Sequence, residues 1–221
     1  MSVKTIYDQL RAVGMTAEGA CGLMGNFQAE SAMRSNNVED RSGIDDDRYV
    51  QMVDAGHYDF STDYGKHYGF GLAQWTLASR KENLLNTAKK RGCSVADEAM
   101  QVEFAIWELS NQFPTVWQLL TSSHDLYECT RIVCIQYERP AVNNVDARYQ
   151  YARNFFDALA GQSEPDQDPA PDDPQPAVSI SWAMIQQAMA LDGYYHGTIN
   201  GILDGTGMTA FREYAGDILG R

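Results

Sequence analysis

Two stretches of this 221-residue chain carry side chains whose types and spacing can do chemistry. The first is residues 21–31, Cys-Gly-Leu-Met-Gly-Asn-Phe-Gln-Ala-Glu-Ser. Ala20, Leu23, Met24 and Phe27 recur at helical spacing, and Glu30 falls on the same face, three residues beyond Phe27. A carboxyl group is therefore expected to project from the apolar side of a helix near its C-terminal end. Partial burial and the negative end of the helix dipole both disfavour its charged form, which is how a general acid is kept protonated. An isolated glutamate in this setting is more often a solvated helix end. A second stretch changes that balance: residues 67–76, His-Tyr-Gly-Phe-Gly-Leu-Ala-Gln-Trp-Thr, a glycine-rich turn with Tyr68, Gln74 and Trp75 in it.

Other chemistries have weaker support. Cys21 with His57, His67 or His124 has the residue types of a nucleophile and base, but no spacing positions them, and Cys21 lies on an apolar stripe. Cys21, Cys93, Cys129 and Cys134 lack metal-ligand spacing and read as buried thiols, with a disulfide open if the protein reaches an oxidising compartment. Asp45, Asp46 and Asp47 are followed by Arg48-Tyr49-Val50, which does not continue an EF-hand loop, so a solvated turn is expected there. No zinc motif or cofactor motif occurs, and neither a metal nor a cofactor is expected.

The elements that must position Glu30 follow from periodicity. Residues 3–13 form an amphipathic helix ended by Gly14, and Thr16 is placed to N-cap the Glu30 helix. Residues 33–70 are dense in turn residues and read as an irregular lobe whose aromatics, among them Tyr49, Tyr58, Phe60 and Tyr64, either line a sugar groove or fill a small core. Helices are predicted over 80–90, 97–110, 116–120, 126–137 and 148–159, with Pro114 as an interruption. Glu138-Arg139-Pro140 reads as a helix terminus with no catalytic role.

Residues 162–177 hold five prolines and five acidic residues and read as an extended linker. The expected organisation is a catalytic domain over 1–161, this acidic Pro-rich linker, and a small helical module over 178–221. The fold class is mainly α, with a small irregular or β lobe.

The two motifs together resemble the lysozyme-like superfamily, and most closely the phage tail lysozyme group of peptidoglycan hydrolases. Members of that group carry Gly-Asn-x-x-x-Glu-Ser and then Tyr-Gly-x-Gly-Leu-x-Gln-Trp-Thr; here these are residues 25–31 and 68–76. The resemblance spans roughly residues 5–160, and Glu138-Arg139-Pro140 also matches a Glu-x-Pro segment of that family, to which no catalytic role is assigned here. It implies a glycosidase with Glu30 as proton donor, Ser31 beside it, and Tyr68, Gln74 and Trp75 contacting substrate. The position that holds the second carboxylate in hen-type lysozymes is Gly69 here. Goose-type enzymes place an aspartate further upstream, and Asp63 falls near that place. A widely spaced Glu30–Asp63 pair implies inversion through a bound water. If Asp63 is only a turn residue, Glu30 acts nearly alone, as in lytic transglycosylases, where the muramyl 6-hydroxyl replaces water.

The tail resembles a peptidoglycan-binding helical module through Gly193-Tyr194-Tyr195 and Gly197, with Asn200, Asp204, Gly207 and Ala215 departing from its pattern. It is expected to bind the cell wall in a degenerate form, or else to oligomerise.

A net charge of −13 argues against nucleic acid and against electrostatic capture by an anionic membrane or wall. No apolar run follows Met1, so neither signal peptide nor transmembrane span is expected. These features together predict a phage or prophage endolysin or tail lysin, made in the host cytoplasm, that cleaves the MurNAc-GlcNAc backbone after holin-type release or from within a virion tail. A wall peptidase or amidase and a non-enzymatic tail protein are the alternatives.

Overall fold

In the computed structural model, residues 3–160 are described; the linker and the C-terminal module expected from the sequence lie outside them. The described residues are mainly helical and contain no strand, only one antiparallel bridge between Val38 and Phe70. The β part of the expected small lobe is thus reduced to that bridge. No helix among the described residues is long and apolar enough to cross a membrane.

Helix α1 (Val3–Ala12) buries Ile6, Tyr7 and Leu10, the residues its amphipathic spacing selects. Helix α2 (Ala17–Ser31) starts where Thr16 accepts a hydrogen bond from Gly19 N–H, as the sequence predicts. From Gly19 to Phe27 every residue of α2 is buried, so it is the central rod of the domain rather than a one-sided surface helix. Its small residues are what allow this. A Cβ on Gly25 would stand 2.6 Å from the Arg148 carbonyl and 2.7 Å from the Ala152 Cβ, and one on Gly22 would stand 2.9 Å from the Cys129 Cβ. The late helices α7 (Leu126–Ile132) and α8 (Val145–Leu159) therefore close directly onto the α2 backbone.

The lobe after α2 is more ordered than its turn-rich sequence suggests. Asp45 N-caps helix α3 (Asp46–Asp54) by accepting from Arg48 N–H, and Asp46 accepts from Val38 N–H and pairs with Arg34. The acidic triplet is therefore a helix start, with cap and dipole both favouring negative charge there. Helices α4 (Ala78–Arg91) and α5 (Glu98–Gln112) follow; α6 (Pro114–Ser122) begins at Pro114, which sits in the first turn where its missing N–H costs nothing. After α7 the chain runs on as a π-helical turn, Val133–Glu138, before Arg139 takes a left-handed conformation at φ 53°.

Candidate active site

Glu30 sits in the last turn of α2, where the helix ends by two successive left-handed non-glycine residues, Ala32 (φ 53°) and Met33 (φ 61°). The Ser31 hydroxyl donates to the carbonyls of Phe27 and Leu72, both at 3.1 Å, and so fastens the end of α2 to the turn over 69–76. Within that turn Gln74 is also left-handed (φ 44°), and its amide Nε2 donates to Asn37 and Gly71 carbonyl oxygens. Left-handed non-glycine backbone costs roughly 1–3 kcal/mol per residue and persists where surrounding structure enforces it. Here it follows Glu30-Ser31, falls within the Gln74 turn and follows Glu138, and it also occurs at Asp63, Tyr64 and His67 in the lobe.

Glu30 is gripped by an arginine from the far end of the domain. Arg148 of α8 donates from Nη2 to Glu30 Oε1 at 2.6 Å and from Nη1 to Asn26 Oδ1 at 3.1 Å. Asn26 is itself fixed by donating to the Gly22 and Thr130 carbonyls. The Glu30 side chain is 17% exposed and that of Arg148 is 7% exposed, so the pair is largely desolvated. The close approach of α8 to Gly25 is what brings the guanidinium within reach.

Asp63 lies elsewhere, at the centre of a sealed network in the lobe. Its carboxylate accepts from the Tyr49 hydroxyl (2.6 Å), the Lys81 ammonium (2.6 Å) and the Tyr68 backbone N–H (2.8 Å). The Asp63 and Lys81 side chains are both 0% exposed. Burial pushes the Lys81 amine down from its ordinary value, and Asp63 opposes that. Burial, with Asp63 as hydrogen-bond partner, drives the Tyr49 hydroxyl well up. Phe60 and Phe70 pack around Tyr49, so much of the aromatic content of the lobe is core. Tyr68 is half-buried beneath the Arg41 guanidinium. Trp75 is fully buried, its indole N–H donating to Glu108 at 2.8 Å.

Glu108 organises a second charged cluster that sequence reasoning did not reveal. Buried on α5, it accepts two hydrogen bonds from Arg80 (2.8 and 2.7 Å), one from Trp75 and one from the Tyr137 hydroxyl (2.8 Å). Arg80 also lies over the Tyr137 ring at 4.7 Å. Next to Tyr137, Glu138 closes the π-helical turn. Burial raises its carboxyl far above the ordinary glutamate range, and repulsion from Glu30 adds to this against the attraction of Arg80 and Arg148. Oε1 of Glu138 and Nε of Arg148 are buried without a hydrogen-bond partner among the described residues. Glu138 lines a cleft of about 420 Å³ together with Gln74, Arg80, Tyr137 and Arg139.

The cysteines are free thiols, and burial pushes those of Cys21 and Cys129 up to about 12. His57 and His67 are exposed, and His124 faces Glu18 at 3.2 Å. A thiol that holds its proton this firmly is not a nucleophile near neutral pH. Among the described residues, no group of three His, Cys, Asp or Glu side chains is arranged to hold a metal ion.

A helical domain with a glutamate at a helix end that closes in left-handed backbone, and with the adjacent Ser31 fastened to a Gly-Leu-x-Gln turn, places the chain in the lysozyme-like class. The chain belongs to the phage tail lysozyme family, whose model matches residues 2–159. It is also 28% identical over 169 residues to morphogenesis protein 1 of Bacillus phage B103, across 73% of this chain. That match covers 40% of the length of the relative.

Proposed function

We propose that the protein is a phage lysin that cleaves the MurNAc-GlcNAc glycan backbone of bacterial peptidoglycan as an N-acetylmuramidase-type glycoside hydrolase, with Glu30 as its essential carboxyl. The observation that carries this is the Ser31 bond to Leu72, which joins the Glu30 helix end to the Gly-Leu-x-Gln turn in a member of the phage tail lysozyme family. Acid-assisted departure of the leaving sugar oxygen and a negative charge facing the developing oxocarbenium ion are what glycosidic cleavage requires. Ser31 and Trp75 are buried and suit a supporting role, while Gln74 lines the cleft.

The burial of Asp63 favours a structural role for it, and this gives weight to a second reading. In a lytic transglycosylase the muramyl 6-hydroxyl attacks the anomeric carbon, so no aspartate is needed to activate water. The name of the phage B103 relative, a morphogenesis protein, supports a place in the phage particle over free release through a pore.

Digestion of purified peptidoglycan by the wild-type protein tests the reading. Reducing-end muropeptides support the muramidase and anhydro-muramyl ends the transglycosylase. Free stem peptides from intact glycan contradict both.

A further inference from the structure

Resting on that glycosidase reading, we infer that Glu138 is a second catalytic carboxyl of the site and holds the proton that goes to the glycosidic oxygen, while Glu30, ion-paired with Arg148, supplies the negative charge.

Charge balance in a poorly solvated cluster leads there. The charged groups that act on Glu138 are Glu30 from α2, Arg80 from α4, Glu108 from α5 and Arg148 from α8; Tyr137 and Arg139 adjoin it in the chain, Arg139 exposed and donating from Nε to the Gln136 carbonyl. Arg148 is matched by Glu30, and Arg80 by Glu108 through two hydrogen bonds. A charged Glu138 would be a third carboxylate against two desolvated guanidinium groups, the Arg139 side chain being exposed to solvent. A neutral Glu138 leaves two balanced pairs, and desolvation favours the neutral form.

Position and unused bonding capacity point the same way. Glu138 lines the cleft beside Gln74, whereas Glu108 is enclosed by four hydrogen bonds. A buried carboxyl oxygen without a partner costs free energy in the unliganded protein, and such orphans mark strain or catalytic sites. The backbone that presents Glu138 is unusual too: a π turn closed by the Arg139 N–H bond to the Cys134 carbonyl, then a left-handed arginine.

In the reaction, the bond from the anomeric carbon to the bridging oxygen breaks, its electron pair stays on that oxygen, and the Glu138 proton joins it. Glu30 faces the positive charge left on the sugar. Water, or the muramyl 6-hydroxyl, then bonds to the anomeric carbon and returns a proton to the Glu138 carboxylate.

Glu138→Gln is the primary test, because the carboxamide copies the shape and neutrality of the protonated acid and so should fold as the wild type does. The full chain carrying it is expected to lose about 10²–10⁴-fold in glycan cleavage with an unchanged circular dichroism spectrum. Glu138→Asp should keep part of the rate with a shifted high-pH limb. In protein labelled with carbon-13 at glutamate carboxyls, one resonance should titrate far above the rest and be missing from Glu138→Gln. Should that variant fail to fold, the wild-type titration decides the question. Cleavage by Glu138→Gln at the wild-type rate, or the absence of any high-titrating glutamate, overturns the assignment. Loss of cleavage in Glu30→Gln alone would do so while leaving the glycosidase reading intact, whereas stem-peptide release by the wild type would remove that reading itself.

Discussion

Arg148 donates to Glu30 across 2.6 Å although the two residues are 118 positions apart in the chain. The contact unites the start of α8 with the end of α2, and Asn26, one helical turn before Glu30, accepts from the other terminal nitrogen of the same guanidinium. Removing one partner of a buried ion pair leaves the other desolvated and uncompensated. Arg148→Ala is therefore expected to cost about 3 kcal/mol of folding stability, read as a lower denaturation midpoint, and to lower glycan cleavage as well. A variant with wild-type midpoint and rate would show that the pair matters to neither.

The Asp63 network makes a separable prediction. Asp63→Asn leaves the enclosed Lys81 ammonium without its carboxylate and is expected to destabilise the fold by about 3–5 kcal/mol in chemical denaturation. The double variant Asp63→Asn/Lys81→Met should recover most of that loss, since the two residues interact directly. Corrected for folded fraction, glycan cleavage should match wild type in the double variant. Loss of cleavage in a well-folded double variant would return Asp63 to the chemistry.

Glu138 gives stability a dependence on pH. Its carboxyl is raised in the folded protein, so the native state binds its proton more tightly than the unfolded chain does. That contribution is fully present below the ordinary glutamate range and is lost as pH rises through the raised folded value. Denaturation midpoints of the wild type should fall through that window, and the fall should be smaller in Glu138→Gln. Identical profiles for the two proteins would contradict the raised carboxyl.

Thiol chemistry separates the glycosidase from a cysteine peptidase. Cys21, Cys129 and Cys134 are buried, while Cys93 is half-buried at the end of α4. Native protein near neutral pH should be alkylated at Cys93 first and keep its lytic rate, with the other three thiols reacting only on unfolding. Inactivation that tracks modification of Cys21 would reverse this.

Local signals made the helical scaffold legible in the sequence. Thr16 as a cap, the Ala20-Leu23-Met24-Phe27 stripe and the Gly14 stop all predict what α1 and α2 do. The sequence reads Asp45 as a turn residue, because its capping role depends on Arg48 N–H entering a helix that the surrounding turn residues disguise. Motif spacing singles out Glu30, Ser31 and Gln74, and Ser31 joins the two motifs through its bond to Leu72. The sequence reads Glu138 only as part of a helix terminus and does not point to Arg80, Glu108 or Arg148, since a charged cluster assembled from four distant helical segments has no periodic trace in one dimension. The Gly25-Asn26 pair held the nearest hint of Arg148: a residue without a side chain, and then an amide, on a rod otherwise apolar. Nothing local foretold the π turn, whose extra residue per turn aims Tyr137 at Glu108 and places Glu138 on the cleft.

The most direct test of the account compares the rates at which wild type and Glu30→Gln release soluble muropeptides from purified peptidoglycan, with circular dichroism confirming equal folding. A loss of about 10²–10⁴-fold in a folded Glu30→Gln is the predicted result. A folded Glu30→Gln that releases the same muropeptides at the wild-type rate would contradict it.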